Sequence, residues 1–385
     1  MFTKSIFKVN GLMALVALLL PLLLSCTASE KDIGEIDDNE PIRFLVADDE
    51  EWGTRGAYET AKQFTSYAIY TFNRTAKRPY VGNVTMAKQS DGTWTASRTI
   101  PFPGKNALDL YALKPGFARD DVKNLTMTWD EQSFVHTLPN ANYKQTDFMI
   151  SSLLDKTKEE TGGTLMFKFK HLFSYLRFVG KTSLENVNVK VHSLTIHNIK
   201  STGKFTFSNT VERDGSWELQ EDLDNYTFLM PADRDLTNKN AVIHTTDSML
   251  FVMSQIPKVF TISNNTSFAD ADTNGEAYLE IECRIWKMED DGVTPRYIGC
   301  SDTSWAKVYY PLSATTRWQT NASPYSATYN LMFDFTGGYT YEGEDFLKKY
   351  TNGEMKMISI EPVKSFLVTN PWEDDDYNSQ TLEMK

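Results

Sequence analysis

Apolar and polar residues alternate with a period of two along most of this chain, the spacing of half-buried strands. Tyr278–Trp286, YLEIECRIW, puts Leu279, Ile281, Cys283 and Ile285 on one face. Ile42, Phe44 and Val46 share a face of a shorter run, which the acids Asp48–Glu51 end. The pattern predicts strands over Phe64–Asn73, Thr93–Ile100, Ala107–Leu113, Asp147–Ser151 and Asn186–Ile199. It predicts a hairpin from Leu125–Trp129 and Phe134–Leu138, while Arg74–Lys88 reads as a loop with one short strand. Further strands are expected over Lys204–Ser208, Trp217–Gln220, Tyr226–Met230, Ala241–His244, Met249–Gln255, Ala306–Leu312, Ser326–Phe335 and Lys356–Val368, with a short helix at Phe346–Tyr350.

Leu165–Val179, LMFKFKHLFSYLRFV, carries the strongest strand signal. Its apolar phase runs 165, 167, 169 and then 172, 176, 178. A change of face inside one strand predicts a β-bulge near His171. Strands at short intervals, parted by turn residues, predict an all-β chain of sandwich or barrel type. A length of 385 residues suggests two domains. Thr161-Gly162-Gly163 follows the charged Leu153–Glu160 and sets the boundary, giving domains at 41–160 and 161–385.

The first 25 residues read as a signal peptide. Lys4 and Lys8 precede the apolar run Leu12–Leu24, which is too short to span a bilayer as a helix. Leu22–Cys26, LLLSC, has the form of a bacterial lipobox, in which Cys26 is lipidated and becomes the mature N-terminus. Acyl chains there would anchor the chain to a membrane without crossing it. Residues 26–40 then form an acidic tether with little to bury. Removing residues 1–25 takes away Lys4 and Lys8 and no acid, moving the net charge from −12 to −14. That balance excludes nucleic acid as a partner.

Cys283 and Cys300 are the only other cysteines. Folding about Asp291-Gly292 places them opposite each other at a non-hydrogen-bonded pair, the closer kind. Pro295 takes a hydrogen-bonding position in that register, which loosens the turn. The two form either a disulfide, as exported proteins allow, or a pair of free core thiols.

Catalytic and metal signatures are missing. His136, His171, His192, His197 and His244 fall in no metalloprotease pattern. His192 and His197 fall on opposite faces of one alternating strand, so no metal is shared between them. No nucleophile elbow, P-loop or dinucleotide fingerprint occurs, and no cofactor is called for. Asp270–Gly275, DADTNG, matches the first half of a calcium loop, but Ile281 stands where the bidentate Glu belongs. It reads as a polar hairpin loop. Trp94, Trp129 and Trp286 lie in expected strands and fit a core as well as a sugar-stacking surface.

Several stretches, in this order, resemble the fimbrillin family of Bacteroides-type bacteria, the subunits of type V pili and their relatives. They are the lipobox at Cys26, the early strand followed by Thr54-Arg55-Gly56, and Tyr67–Phe72. Leu110–Pro115, LYALKP, and Asp147–Ser151 follow, then Leu165, Phe167, His171, Ser174, Leu176 and Phe178, which resemble an L-x-F-x-H-x-x-S-x-L-x-F signature with two more residues between Phe167 and His171. Pro324–Phe335 and Trp372 fit the family's C-terminal end. The resemblance implies two transthyretin-like β-sandwich domains without enzymatic activity. It implies export to the outer-membrane surface as a lipoprotein, cleavage after Arg55 by an arginine-specific protease, and loss of the first strand. A strand of another subunit then fills the groove, and the fimbrium serves adhesion. In that scheme Ile42, Phe44 and Val46 are the resident plug. A permanent first strand with Arg55 on a surface turn is the alternative reading of the same stretch. Two other functions stay open. A lipid-anchored glycan-binding protein would show aromatics in a groove, and a glycan hydrolase would need two facing carboxylates in a cleft.

Overall fold

Leu108–Lys114 is buried at every position, so both of its faces must be covered. The computed structural model describes residues 40–47, 65–182, 187–236, 241–242, 250–258, 268–289, 291–297, 300–312, 318–320, 323–324, 326–333, 366–367 and 381–382. The protein is mostly β, with several antiparallel sheets and few helices. Its first half comprises β1 (Arg43–Val46), β2 (Ser66–Asn73), β3 (Arg78–Lys88), β4 (Trp94–Ala96), β5 (Leu108–Lys114), β6 (Lys123–Met127), β7 (Gln132–Thr137) and β8 (Met149–Lys156). The short helix α1 (Lys158–Thr161) follows, its N-terminus capped by the Thr157 hydroxyl and its end turned by Gly162 at φ 58°. Next come β9 (Thr164–Phe167), β10 (Lys170–His171), β11 (Ser174–Thr182), β12 (Val187–Lys200), β13 (Thr202–Phe207), β14 (Gly215–Leu219), β15 (Leu223–Leu236), β16 (Ala241–Val242) and β17 (Leu250–Val252). Helix α2 (Phe268–Asn274) precedes β18 (Tyr278–Met288), β19 (Pro295–Tyr297), β20 (Ala306–Pro311), β21 (Gln319–Thr320), β22 (Ser323–Pro324), β23 (Ser326–Phe333), β24 (Phe366–Leu367) and β25 (Thr381–Leu382).

The central sheet has the order β10-β8-β5-β2-β3-β4. Alternation along its strands feeds two cores. Tyr67, Ile69, Leu108, Leu110 and Ala112 enter one with Ile42, Phe44, Leu165 and Phe167. Ala68, Phe72, Tyr111 and Leu113 enter the other with Phe134, Phe205 and the inner residues of β11, β12 and β18. A four-stranded sheet, β14-β13-β7-β6, contributes Phe134, Phe205 and Phe207, whose rings meet edge-on or tilted at 5.2–6.3 Å. The sheet β15-β12-β18-β19, with β20 also on β18, and the sheet β16-β11-β17, with β23 alongside β11, complete the large core.

The phase shift in Leu165–Val179 has a different cause from the expected bulge. The segment is three strands in three sheets. β9 pairs with β1, β10 with β8, and β11 with β17, β16 and β23. The chain changes sheets at Lys168–Phe169 and Leu172–Phe173, so its buried face changes too. Strand pairing also joins residues on either side of residue 160.

Other expectations are corrected similarly. Arg78–Lys88 is an eleven-residue strand, not a short one, because it pairs with β2 along most of its length. β12 carries a register shift at Val191/Ser193 against both neighbours; against β18 the extra residue is His192, and against β15 the extra residues lie on β15. That shift puts His192 and His197 on one outer face, not opposite ones. His192 stacks on Trp305 at 4.6 Å and bonds Asp233, while His197 stacks on Tyr278 at 4.3 Å beside Glu280. Asp270–Asn274 belongs to α2 and is no hairpin loop. Asp272 accepts from Asn198 and the Tyr278 hydroxyl, which ties the helix to β12 and β18. Trp129 lies in the turn after β6, beyond the strand expected to hold it.

Candidate functional site

The stretch Ile42–Val46 becomes a strand in a slot. Arg43–Val46 runs parallel to Thr164–Phe167 with Phe44 opposite Leu165 and Val46 opposite Phe167. On its other side Pro41 bridges Pro101, and the Ile42 N–H donates to the Ile100 carbonyl at 2.8 Å. The Arg43 N–H donates to Gly163 and the Ala47 N–H to Phe167, each at 2.9 Å. β1 thus lies between two segments that do not otherwise pair among the described residues. Without it, both would present unpaired backbone edges.

Period-two alternation decides which side chains enter. Ile42 and Phe44 are buried, Val46 is half-buried against the same core, and Arg43 faces solvent. The Phe44 ring stacks on Phe167 at 6.1 Å with the planes 13° apart. Beneath them Tyr67 meets Phe167 and Phe169 edge-on at 5.7 and 5.1 Å, and Trp94 at 4.9 Å. The Tyr67 hydroxyl is buried without a hydrogen-bond partner, and burial raises its pKa far above the ordinary phenol value. The floor is therefore aromatic and closed to bulk solvent. It suits an apolar strand and no ionic chemistry.

Cys26 and Arg55 lie outside the described residues, as do His244, Phe346–Tyr350 and Trp372. Cys283 and Cys300 are free thiols. Their strands pair as the turn at Asp291-Gly292 implies, with Trp286 opposite Tyr297 and Met288 opposite Pro295. Among the described residues that pairing runs as far as Tyr297, and Cys283 lies opposite Ala306 of β20. Cys283 is fully buried, and burial raises its pKa beyond reach of ordinary ionisation. The Cys300 sulfur instead receives the Ile285 N–H at 3.3 Å.

Two histidines sit in the core. His136 Nδ1 meets the Asp121 carbonyl at 2.8 Å and His171 Nδ1 meets Asp147 at 2.9 Å; burial lowers the pKa of both. Each is a neutral, structural group. Among the described residues no three His, Cys, Asp or Glu side chains gather to hold a metal ion.

The fimbrillin-like family model matches residues 54–279, more than half of the chain. The chain belongs to the fimbrillin-like family. It is a structural, non-enzymatic protein of fimbrial type. A fimbrial protein from Bacteroides vulgatus ATCC 8482 is similar in fold, with TM-score 0.53 at 14% identity over 77% of this chain and 96% of that one. The fimbrial anchor protein Mfa2 from Porphyromonas gingivalis aligns over 76% of this chain and 90% of its own, at 10% identity and TM-score 0.31. A search of the curated proteins finds no match. The family match begins at Thr54, so it contains Arg55 and leaves out β1.

Proposed function

We propose that this fimbrillin-like chain is a fimbrial subunit that assembles by exchanging its first strand. It is exported as a lipoprotein acylated at Cys26 and held at the outer membrane by that lipid. An arginine-specific protease cuts after Arg55, β1 leaves with the lipid, and a strand of another subunit enters the slot. The assembled fimbrium serves adhesion.

The observation that carries this reading is the seat of β1. It lies between Ile100–Pro101 and β9 and inserts Ile42 and Phe44 into an aromatic core supplied by the rest of the chain. Strand addition draws affinity from main-chain hydrogen bonds and selectivity from alternate side chains, and this slot offers both. Arg55 lies between β1 and β2 in sequence, where cleavage separates the plug from the body. The two-sandwich layout belongs to the same proposal. Its domains are those at 41–160 and 161–385, with strand pairing between them.

The test is digestion of the purified, detergent-solubilised chain with an arginine-specific protease, followed by N-terminal sequencing. A new N-terminus at Gly56 supports the proposal. A chain resistant at Arg55, or one cut first elsewhere, counts against it.

A further inference from the structure

A cleft of about 410 Å³ lies apart from the β1 slot, where three turns converge over strands β2 and β5. Its floor is Phe72 on β2 and Tyr111 on β5, packed edge to face at 5.8 Å. Trp129 and Asp130 enter from the β6–β7 turn, Arg74 and Lys77 from the β2–β3 turn, and Asn209 and Thr210 from the β13–β14 turn. Pockets of this volume take small ligands of one to a few rings.

The walls are built and held. Arg74 Nη1 donates to both oxygens of buried Asp109, at 3.0 and 2.9 Å, and Asp109 also receives the Asp155 N–H. The buried Gln132 amide donates to the Trp129 carbonyl at 2.9 Å and fixes the turn that carries the indole. The Ser208 hydroxyl accepts from Thr210 and Val211 N–H groups and fixes the third turn. Such preorganisation lowers the entropy cost of binding.

The lining chemistry selects the ligand class. The indole offers an apolar face on which the C–H face of a sugar ring can stack. Asn209, Thr210 and Asp130 supply donors and acceptors that match hydroxyl groups, which both donate and accept. The lining is neutral overall, because Arg74 is paired with Asp109 and the remaining charges are one cation, Lys77, and one anion, Asp130. A charged ligand gains nothing from such a wall. We propose that this cleft binds an uncharged saccharide of one or two rings, through Trp129 stacking and polar contacts from Asn209, Thr210 and Asp130. The site needs neither lipidation nor departure of β1, so it stands or falls separately from strand exchange.

The experiment is binding of the detergent-solubilised full chain to an array of immobilised oligosaccharides. The array carries terminal glucose, galactose, mannose or N-acetylglucosamine, beside sialylated and sulfated counterparts. Calorimetric titration with the best neutral sugar follows. Expected is binding to at least one neutral class, weakened at least tenfold by Trp129→Ala and by Asn209→Ala. The exposed Asn209 provides a variant that leaves the core untouched, and thermal melting checks that Trp129→Ala folds. The proposal is overturned if no neutral sugar binds, if only charged glycans bind, or if binding survives unchanged in the folded variants.

Discussion

Phe44→Ala measures how firmly β1 is seated. Phe44 is 4% exposed and its ring lies against Phe167, with Tyr67 and Phe169 behind. Truncation of a buried phenylalanine costs about 3–5 kcal/mol, most where the surroundings cannot collapse into the space. Here the floor is the central sheet, fixed by its own ladder, while β9 pairs among the described residues with β1 alone and has more room to close in, so the middle of that range applies. The neighbouring Arg43 faces solvent, and Arg43→Ala is expected to stay within about 0.5 kcal/mol. Urea denaturation of the detergent-solubilised chain reads both, with tryptophan fluorescence as the signal. Trp94 sits against Tyr67 and reports on this core. A fall in midpoint at constant slope is the expected signature. A loss below about 1 kcal/mol for Phe44→Ala would show that the first strand does not fill the slot.

Three further outcomes follow from other parts of the structure. Gly215→Ala forces a Cβ to within 2.4 Å of the Phe205 ring and 2.5 Å of the Thr206 carbonyl, so it is expected to destabilise by about 1–3 kcal/mol in the same titration. Arg74→Met leaves the buried Asp109 carboxylate without its bidentate partner and is expected to cost about 2–4 kcal/mol, discounted for the partial exposure of Arg74. His136 and His171 have folded pKa values below the unfolded value, so stability is complete above about pH 6.5 and is lost as pH falls below it. The slope is at most about 1.4 kcal/mol per pH unit for each histidine, and melting from pH 7.5 to 5.5 checks it. Lys114 and Asp147 face His171, and Arg119 and Asp121 face His136, so His136→Gln is expected to remove only one share of the slope.

Period-two patterning located elements whose partners lie on one face only. β18 shows this: Leu279, Ile281, Cys283 and Ile285 enter the core and Glu280 and Glu282 do not. β5 was visible as a strand, but its burial on both faces depends on sheets on either side and is not written in its own residues. Arg78–Lys88 was undercounted because its first half is polar and half-exposed, and pairing with β2, not burial, makes it a strand. The break in phase at His171 was legible, yet one sequence cannot distinguish a bulge from a change of sheet. Helix α2 was masked by a calcium-loop spelling, since Asp and Asn serve loops and helix surfaces alike. Ile42 and Phe44 were identifiable as inward-facing residues because they alternate with Arg43, which faces solvent. The cleft was not, because Arg74, Trp129 and Asn209 come from three separate turns and Asp109 from β5, which only the fold brings together.

Assembly after cleavage tests the central claim most directly. The detergent-solubilised chain is treated with an arginine-specific protease, and its mass in solution is followed by light scattering, with and without an excess of the peptide Pro41–Ala47. The account predicts polymers once β1 is released, and their suppression by the peptide, which refills the slot. A cleaved chain that loses β1 and stays monomeric, or polymers indifferent to the peptide, would contradict it.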